Sequence, residues 1–118
     1  MRRIILESPL AGDTPEARDR HLAYGRACLK HALLQGNSPI APHLLWGNPD
    51  GKVLNDCIPI ERQYGLEAAS WWYHPDVVDA IVAYCDLKIS PGMWTGIQRA
   101  VEAGIPIEYR TIGWVPDV

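Results

Sequence analysis

Asp79-Ala-Ile-Val-Ala-Tyr-Cys85, followed at once by Asp86-Leu-Lys-Ile-Ser-Pro-Gly-Met93, is the stretch from which the fold is read. Its first half is a short apolar run bounded by polar residues, the pattern of a buried strand. Beyond it, Met93, Gly96, Ile97, Ala100, Val101 and Gly104 recur at helical spacing, while Gln98, Arg99 and Glu102 face the other way, which predicts an amphipathic helix. Between the two lies a turn with an acid, a serine and a glycine, ending on a helix N-terminus whose backbone N–H groups lack partners and favour anions. Ligands of open α/β sheets bind off the carboxyl ends of the strands, so this turn is a pocket candidate.

Working outward, Arg3–Glu7 reads as a first, central strand and Ser8-Pro-Leu-Ala-Gly-Asp13 as the loop after it. Asp13-Thr-Pro-Glu16 carries the signals of a helix start, with Asp or Thr at the cap. That helix is expected to run to Leu34-Gln35 and stop at Gly36-Asn37, packing a stripe of Ala17, Tyr24, Cys28 and Ala32 on the sheet. Ser38–Ala41 reads as a second strand ending at Pro42-His43. Leu44–Cys57 is the longest irregular stretch, with Gly47–Gly51 as a turn cluster. A helix is expected from Pro59 to about Trp72, with Ile60, Tyr64, Ala68 and Trp71 on one side and Trp72 on the flank as a subunit-contact candidate. Pro106–Arg110 is the fourth strand and Thr111–Val118 a tail. Strands alternating with helices imply one α/β domain with a parallel sheet of four to five strands and right-handed crossovers.

Composition narrows the function classes. A chain of 118 residues with 47% apolar and 21% charged residues suits one modest core. A net charge of −3 without a basic run argues against a nucleic-acid groove, and no apolar run is long enough to span a membrane. The start of the chain enters a strand directly, without the apolar core of a signal peptide, so a cytoplasmic protein is expected. Cys28, Cys57 and Cys85 are widely spaced and read as buried free thiols. No dinucleotide fingerprint exists, since Ser8–Asp13 holds a single glycine. His21, His31 and His74 have no partners at metal-ligand spacing, no Ser/His/Asp set is evident, and neither a metal nor another cofactor is expected.

The topology brings Ser8, Pro9, Leu10, Ala11, Gly12 and Asp13 to the carboxyl edge of the sheet. Pro42-His43, Asp86, Ser90, Pro91, Gly92 and Met93, and Tyr109-Arg110 arrive there too, with Glu61-Arg62 in reach. Carboxylates, hydroxyls, a cation and open helix N-termini suit a sugar or nucleotide better than an apolar ligand. Each also has a purely structural reading: Asp86 capping a turn, Ser90 or Asp13 capping a helix, Gly92 and Gly96 serving helix–sheet packing. His43 reads equally as a turn residue, and Glu61 and Arg110 as members of surface ion pairs.

In the order and spacing of Glu7–Asp13, Ala41–His43, Ile58–Arg62, Asp86–Met93 and Ile107–Arg110, nearly the whole chain resembles the nucleoside 2-deoxyribosyltransferase superfamily, and more closely a phage- and actinobacteria-associated branch of it. The resemblance implies a flavodoxin-like, Rossmann-like sheet, a nucleoside or nucleotide pocket and a homo-oligomer whose subunits complete one another's sites. It also implies N-glycosidic cleavage or exchange, with an Asp at position 86 holding or protonating the base. The nucleophilic Glu of the superfamily falls six residues after Ser90, where this chain has Gly96. An oxocarbenium-like transition state needs a carboxylate beside the anomeric carbon. One expectation is therefore binding without turnover, of an ADP-ribose or cyclic-nucleotide type of ligand in a pocket enlarged at Gly96, used by a phage to sequester a host immune signal. The alternative is an N-glycosidase or deoxyribosyltransferase in which Asp86 works with a relocated acid such as Glu61. A third is an interaction module that has lost its pocket.

Overall fold

A computed structural model describes residues 1–46, 53–55 and 57–116; the Gly47–Gly51 turn cluster lies outside them. The elements run β1 (Arg2–Glu7), α1 (Pro15–Leu34), β2 (Asn37–Ile40), α2 (Pro42–Leu45), α3 (Pro59–Ser70), β3 (Ala80–Tyr84), α4 (Pro91–Ala103) and β4 (Ile107–Arg110). The four strands form one all-parallel sheet in the order β2-β1-β3-β4, an α/β architecture of flavodoxin-like or Rossmann-like type. β1 and β3 are central; β3 is buried throughout and β1 from Ile4 on, which is why these stretches read as nearly unbroken apolar runs. Among the described residues no helix is long and apolar enough to cross a membrane.

The two faces of the sheet separate by the two-residue period of β1. Ile4 and Leu6 pack with Ala80, Val82 and Tyr84 against Tyr24, Cys28 and Ala32 of α1. Ile5 packs with Ile81 against Ala100 of α4, together with Val78 and Ile105. Thr14 caps α1, its hydroxyl accepting from the Ala17 N–H at 3.1 Å, and Ser90 caps α4 by accepting from the Met93 N–H at 3.2 Å. α4 ends at Gly104, whose φ of 74° is open to glycine at no steric cost.

Several boundaries and environments differ from the sequence reading. Pro42-His43 does not merely end β2: Pro42 opens the short helix α2, its fixed φ suiting the first helical position. Of the three thiols only Cys28 is buried; Cys85, one residue past β3, is half-buried at the margin of the cluster of Ala83, Met93 and Ile97, and Cys57, just before α3, is exposed. The apolar side of α3 faces outward, with Ile60 57%, Tyr64 58% and Trp71 82% exposed. α3 buries Gly65 alone, against Trp46, whose indole N–H donates to the Gly65 carbonyl at 3.3 Å. Trp114 packs on Tyr24, with ring centroids 5.3 Å apart.

Candidate functional site

Because side chains alternate along β1, Ile5 and Glu7 point toward α4 while Leu6 and Ser8 point toward α1. The carboxyl end of this central strand therefore offers an acid to one side and a hydroxyl to the other. Above it lies a cavity of about 270 Å³. Its floor is Glu7 and Ser8, its walls are the start of α4, the start of α2 with Trp46, and the inner side of α3, and Tyr73 and Arg99 close one flank.

Glu7 is 8% exposed and accepts a hydrogen bond from the Tyr73 hydroxyl. Burial pushes its carboxyl up to about 7, against the opposing pull of the Tyr73 hydrogen bond and the Arg99 guanidinium. Tyr73 is pushed up as well, by burial and then by the charge of Glu7. The Arg99 guanidinium lies 5.9 Å from the centre of the Tyr73 ring, within cation–π range. The space these groups need is made by Gly96. A methyl group there would fall 2.7 Å from the Tyr73 oxygen and closer still to the Glu7 carboxylate. Gly96 thus does not enlarge the pocket, since the volume it leaves is filled by Glu7. A Gly96→Ala substitution is expected to cost about 1–3 kcal/mol through overpacking, read as a lower urea midpoint with an unchanged slope.

On the other side, Ser8 Oγ lies 2.8 Å from His43 Nε2. Burial lowers the imidazole to about 4, so His43 is neutral at physiological pH. This Ser–His contact is absent from the sequence reading. Thirty-five residues separate the partners, and only the turn of chain into α2 brings them together.

Of the residues expected at the site, Ser8, Leu10, Ala11, His43, Arg62, Ser90, Pro91, Gly92 and Met93 do line the cavity. Pro9, Gly12 and Asp13 do not: Pro9 is buried, the Gly12 carbonyl accepts from Arg18 at 3.0 Å, and Asp13 is exposed, the helix cap being Thr14. Asp86 is also elsewhere. Its carboxylate turns to the α1 face, accepts from the Tyr24 hydroxyl at 2.6 Å and from the backbone N–H groups of Ile112, Gly113 and Trp114, and so ties down the tail. Burial alone would raise it, but Tyr24 and these three amides outweigh that and hold it below the ordinary carboxylate range. Arg110 lies on the same face, donating to Asn37, Tyr84 and Glu108 at 2.9, 3.1 and 3.2 Å. Glu61 sits outside the cavity wall and accepts from the Asn55 N–H at 3.3 Å.

Three residues at the centre of the site were not singled out from sequence. Glu7 carries a signal in hindsight: an acid closing a buried central strand, on the same face as Ile5, must lie under the last helix. Tyr73 stands in the connection after α3, where no periodicity applies, and Arg99 reads as part of the polar face of α4. Among the described residues no three His, Cys, Asp or Glu side chains are grouped to hold a metal ion. No curated protein and no solved structure matches the chain. A family model for a domain of unknown function, DUF7768, matches residues 2–110, which span every strand and helix described above, and the chain belongs to that family.

Proposed function

We propose that the pocket binds a nucleoside or nucleoside monophosphate and breaks or exchanges its N-glycosidic bond, with Glu7 as the nucleophile. This reading follows from the resemblance to the nucleoside 2-deoxyribosyltransferases. The observation that carries the reading is the position of Glu7. Its carboxylate fills the space that a side chain at position 96 would take, the position where the resemblance puts the attacking Glu. The acid that the last helix lacks is supplied from the end of β1, and Tyr73 holds one of its oxygens. The cavity supports a ligand of modest size, because about 270 Å³ lies just below the ~300–1,000 Å³ of pockets for drug-sized ligands. A nucleoside suits that volume better than ADP-ribose or a cyclic dinucleotide. The start of α4 and the Arg62 and Arg99 guanidiniums suit a phosphate or the polar edge of a base.

In this mechanism an ionised Glu7 oxygen forms a bond to the anomeric carbon as the carbon–nitrogen bond breaks. The base leaves with the bonding pair and takes a proton from water. Water, or the nitrogen of a second base, then displaces Glu7 and frees it for another turnover. Because the attacking form is the carboxylate, kcat/KM is expected to rise with pH and level off above about 7, where Glu7 has lost its proton. The test is incubation with a panel of ribo- and deoxyribonucleosides and their monophosphates, followed over time by mass spectrometry for free base at several pH values. A tightly retained, intact ligand with no base released would instead make this a sequestering protein. A flat pH profile would remove Glu7 as the attacking group. The outward apolar side of α3 supports the homo-oligomer that the resemblance implies, and a nucleotide-pool substrate fits a cytoplasmic setting.

A further inference from the structure

We infer that Ser8 and His43 form a hydroxyl-recognition pair that reads one sugar hydroxyl of the ligand and so sets which pentose the pocket accepts. This rests on the nucleoside reading of the site and goes beyond it by assigning the sugar specificity.

Three elements converge to build the pair. Ser8 comes from the end of β1 and is 4% exposed, and His43 comes from the first turn of α2. Gly25 of α1 makes room for Ser8 and for Leu44, the neighbour of His43 in α2: a methyl group there would lie 2.9 Å from Leu44 and 3.3 Å from Ser8 Oγ. Both side chains line the cavity that holds Glu7. The arrangement is a poor nucleophile–base couple. A neutral imidazole that resists protonation takes up a serine proton weakly, and no carboxylate is bonded to its Nδ1 among the described residues. It is well suited to hydrogen bonding. A serine hydroxyl has one donor and two acceptor positions, and the contact with His43 uses one of them, fixing the orientation of the rest. Ser8 adjoins Glu7 in the chain and both line the one cavity, which puts the pair beside a pentose held at Glu7. A site built to bond a substrate hydroxyl discriminates strongly against the analogue that lacks it, because the site's own polar group is then left unpaired.

The test uses the full chain carrying Glu7→Gln, so that binding is read without turnover. Dissociation constants are measured by calorimetry for adenosine and its 2′-deoxy, 3′-deoxy and 5′-deoxy forms, and for the same set of guanosine and cytidine. The measurement is repeated with Ser8→Ala, His43→Leu and His43→Gln added. One deoxy position is expected to bind about tenfold or more weakly when Ser8 is present, and that gap should vanish with Ser8→Ala and His43→Leu. His43→Gln, which keeps a hydrogen-bonding group near the same place, should restore part of it. Equal losses for each deoxy form with and without the Ser8 hydroxyl overturn the inference. No binding of any nucleoside overturns both this inference and the nucleoside reading. Binding with a Ser8-dependent gap, but no base release by the unmutated protein, removes the glycosidic chemistry and leaves the recognition pair standing.

Discussion

On the proposed mechanism, Glu7→Gln is expected to lower kcat for base release by about 10²–10⁴-fold or more while leaving nucleoside binding in place. Gln keeps the size of the side chain and an oxygen for the Tyr73 hydroxyl, but it cannot attack the anomeric carbon. Glu61→Gln serves as the control and leaves turnover unchanged, because Glu61 bonds the Asn55 amide outside the cavity. The same Glu7 substitution is expected to stabilise the protein above neutral pH. The Glu7 carboxyl stands at about 7 in the fold against 4.5 for the free group. Below the lower value both states hold the proton and nothing is lost. As pH rises through that window the unfolded chain releases its proton first, so folding stability falls, by about 3 kcal/mol once the upper value is passed. The Gln variant escapes that loss and should melt several degrees higher at pH 8, with the difference closing toward pH 4. Thermal melts of both proteins across that range read the effect directly. A variant that lost activity and melted lower at every pH would mean that Glu7 is a structural group.

Asp86→Ala has the opposite profile, a large loss of stability with the chemistry intact. It removes the acceptor for three backbone N–H groups and for the Tyr24 hydroxyl. Water reaches the exposed Gly113 amide, but Ile112 and Trp114 are half-buried, so a loss of about 2–4 kcal/mol is expected in urea unfolding. Because the Asp86 carboxyl is held below its ordinary range, its contribution is present above pH 4 and disappears as pH falls through the lowered value. Released from Asp86, Trp114 leaves the Tyr24 ring and its fluorescence moves toward that of an exposed indole. A variant with an unchanged urea midpoint and no base release would return Asp86 to the catalytic machinery.

The contrast between Glu7 and Asp86 marks how far the sequence could be read. Strands and the three longer helices were legible because each period is local: the alternation of β1, the apolar run of β3 and the helical spacing of α4 need no knowledge of neighbours, whereas the four-residue α2 is too short to show a period. The carboxyl-edge loops were legible for the same reason, and Ser8, His43 and Ser90 to Met93 do gather there. What failed was the direction of single side chains at and beyond the ends of the strands. Asp86 stands past the end of β3, where the pleat no longer dictates a face, and Tyr24 with the tail amides draws it to the α1 side. Arg110 is long enough to fold back along the sheet to Asn37, a partner 73 positions away. Glu7 still lies within its strand, so its face follows from Ile5. Only its partner Tyr73, in an irregular connection 66 residues on, was beyond reach.

α3 buries one residue along its length, whereas α4 buries Met93, Gly96, Ile97 and Ala100. Local opening free energies follow such differences in buried contact, so in the single subunit amide hydrogens of α3 are expected to exchange through openings far less costly than unfolding of the sheet. The outer wall of the pocket belongs to that soft unit, and the pair of Glu7 and Gly96 to the hard one. In the proposed cycle, ligand enters and leaves by breathing of one helix, while Glu7 and Gly96 keep their spacing.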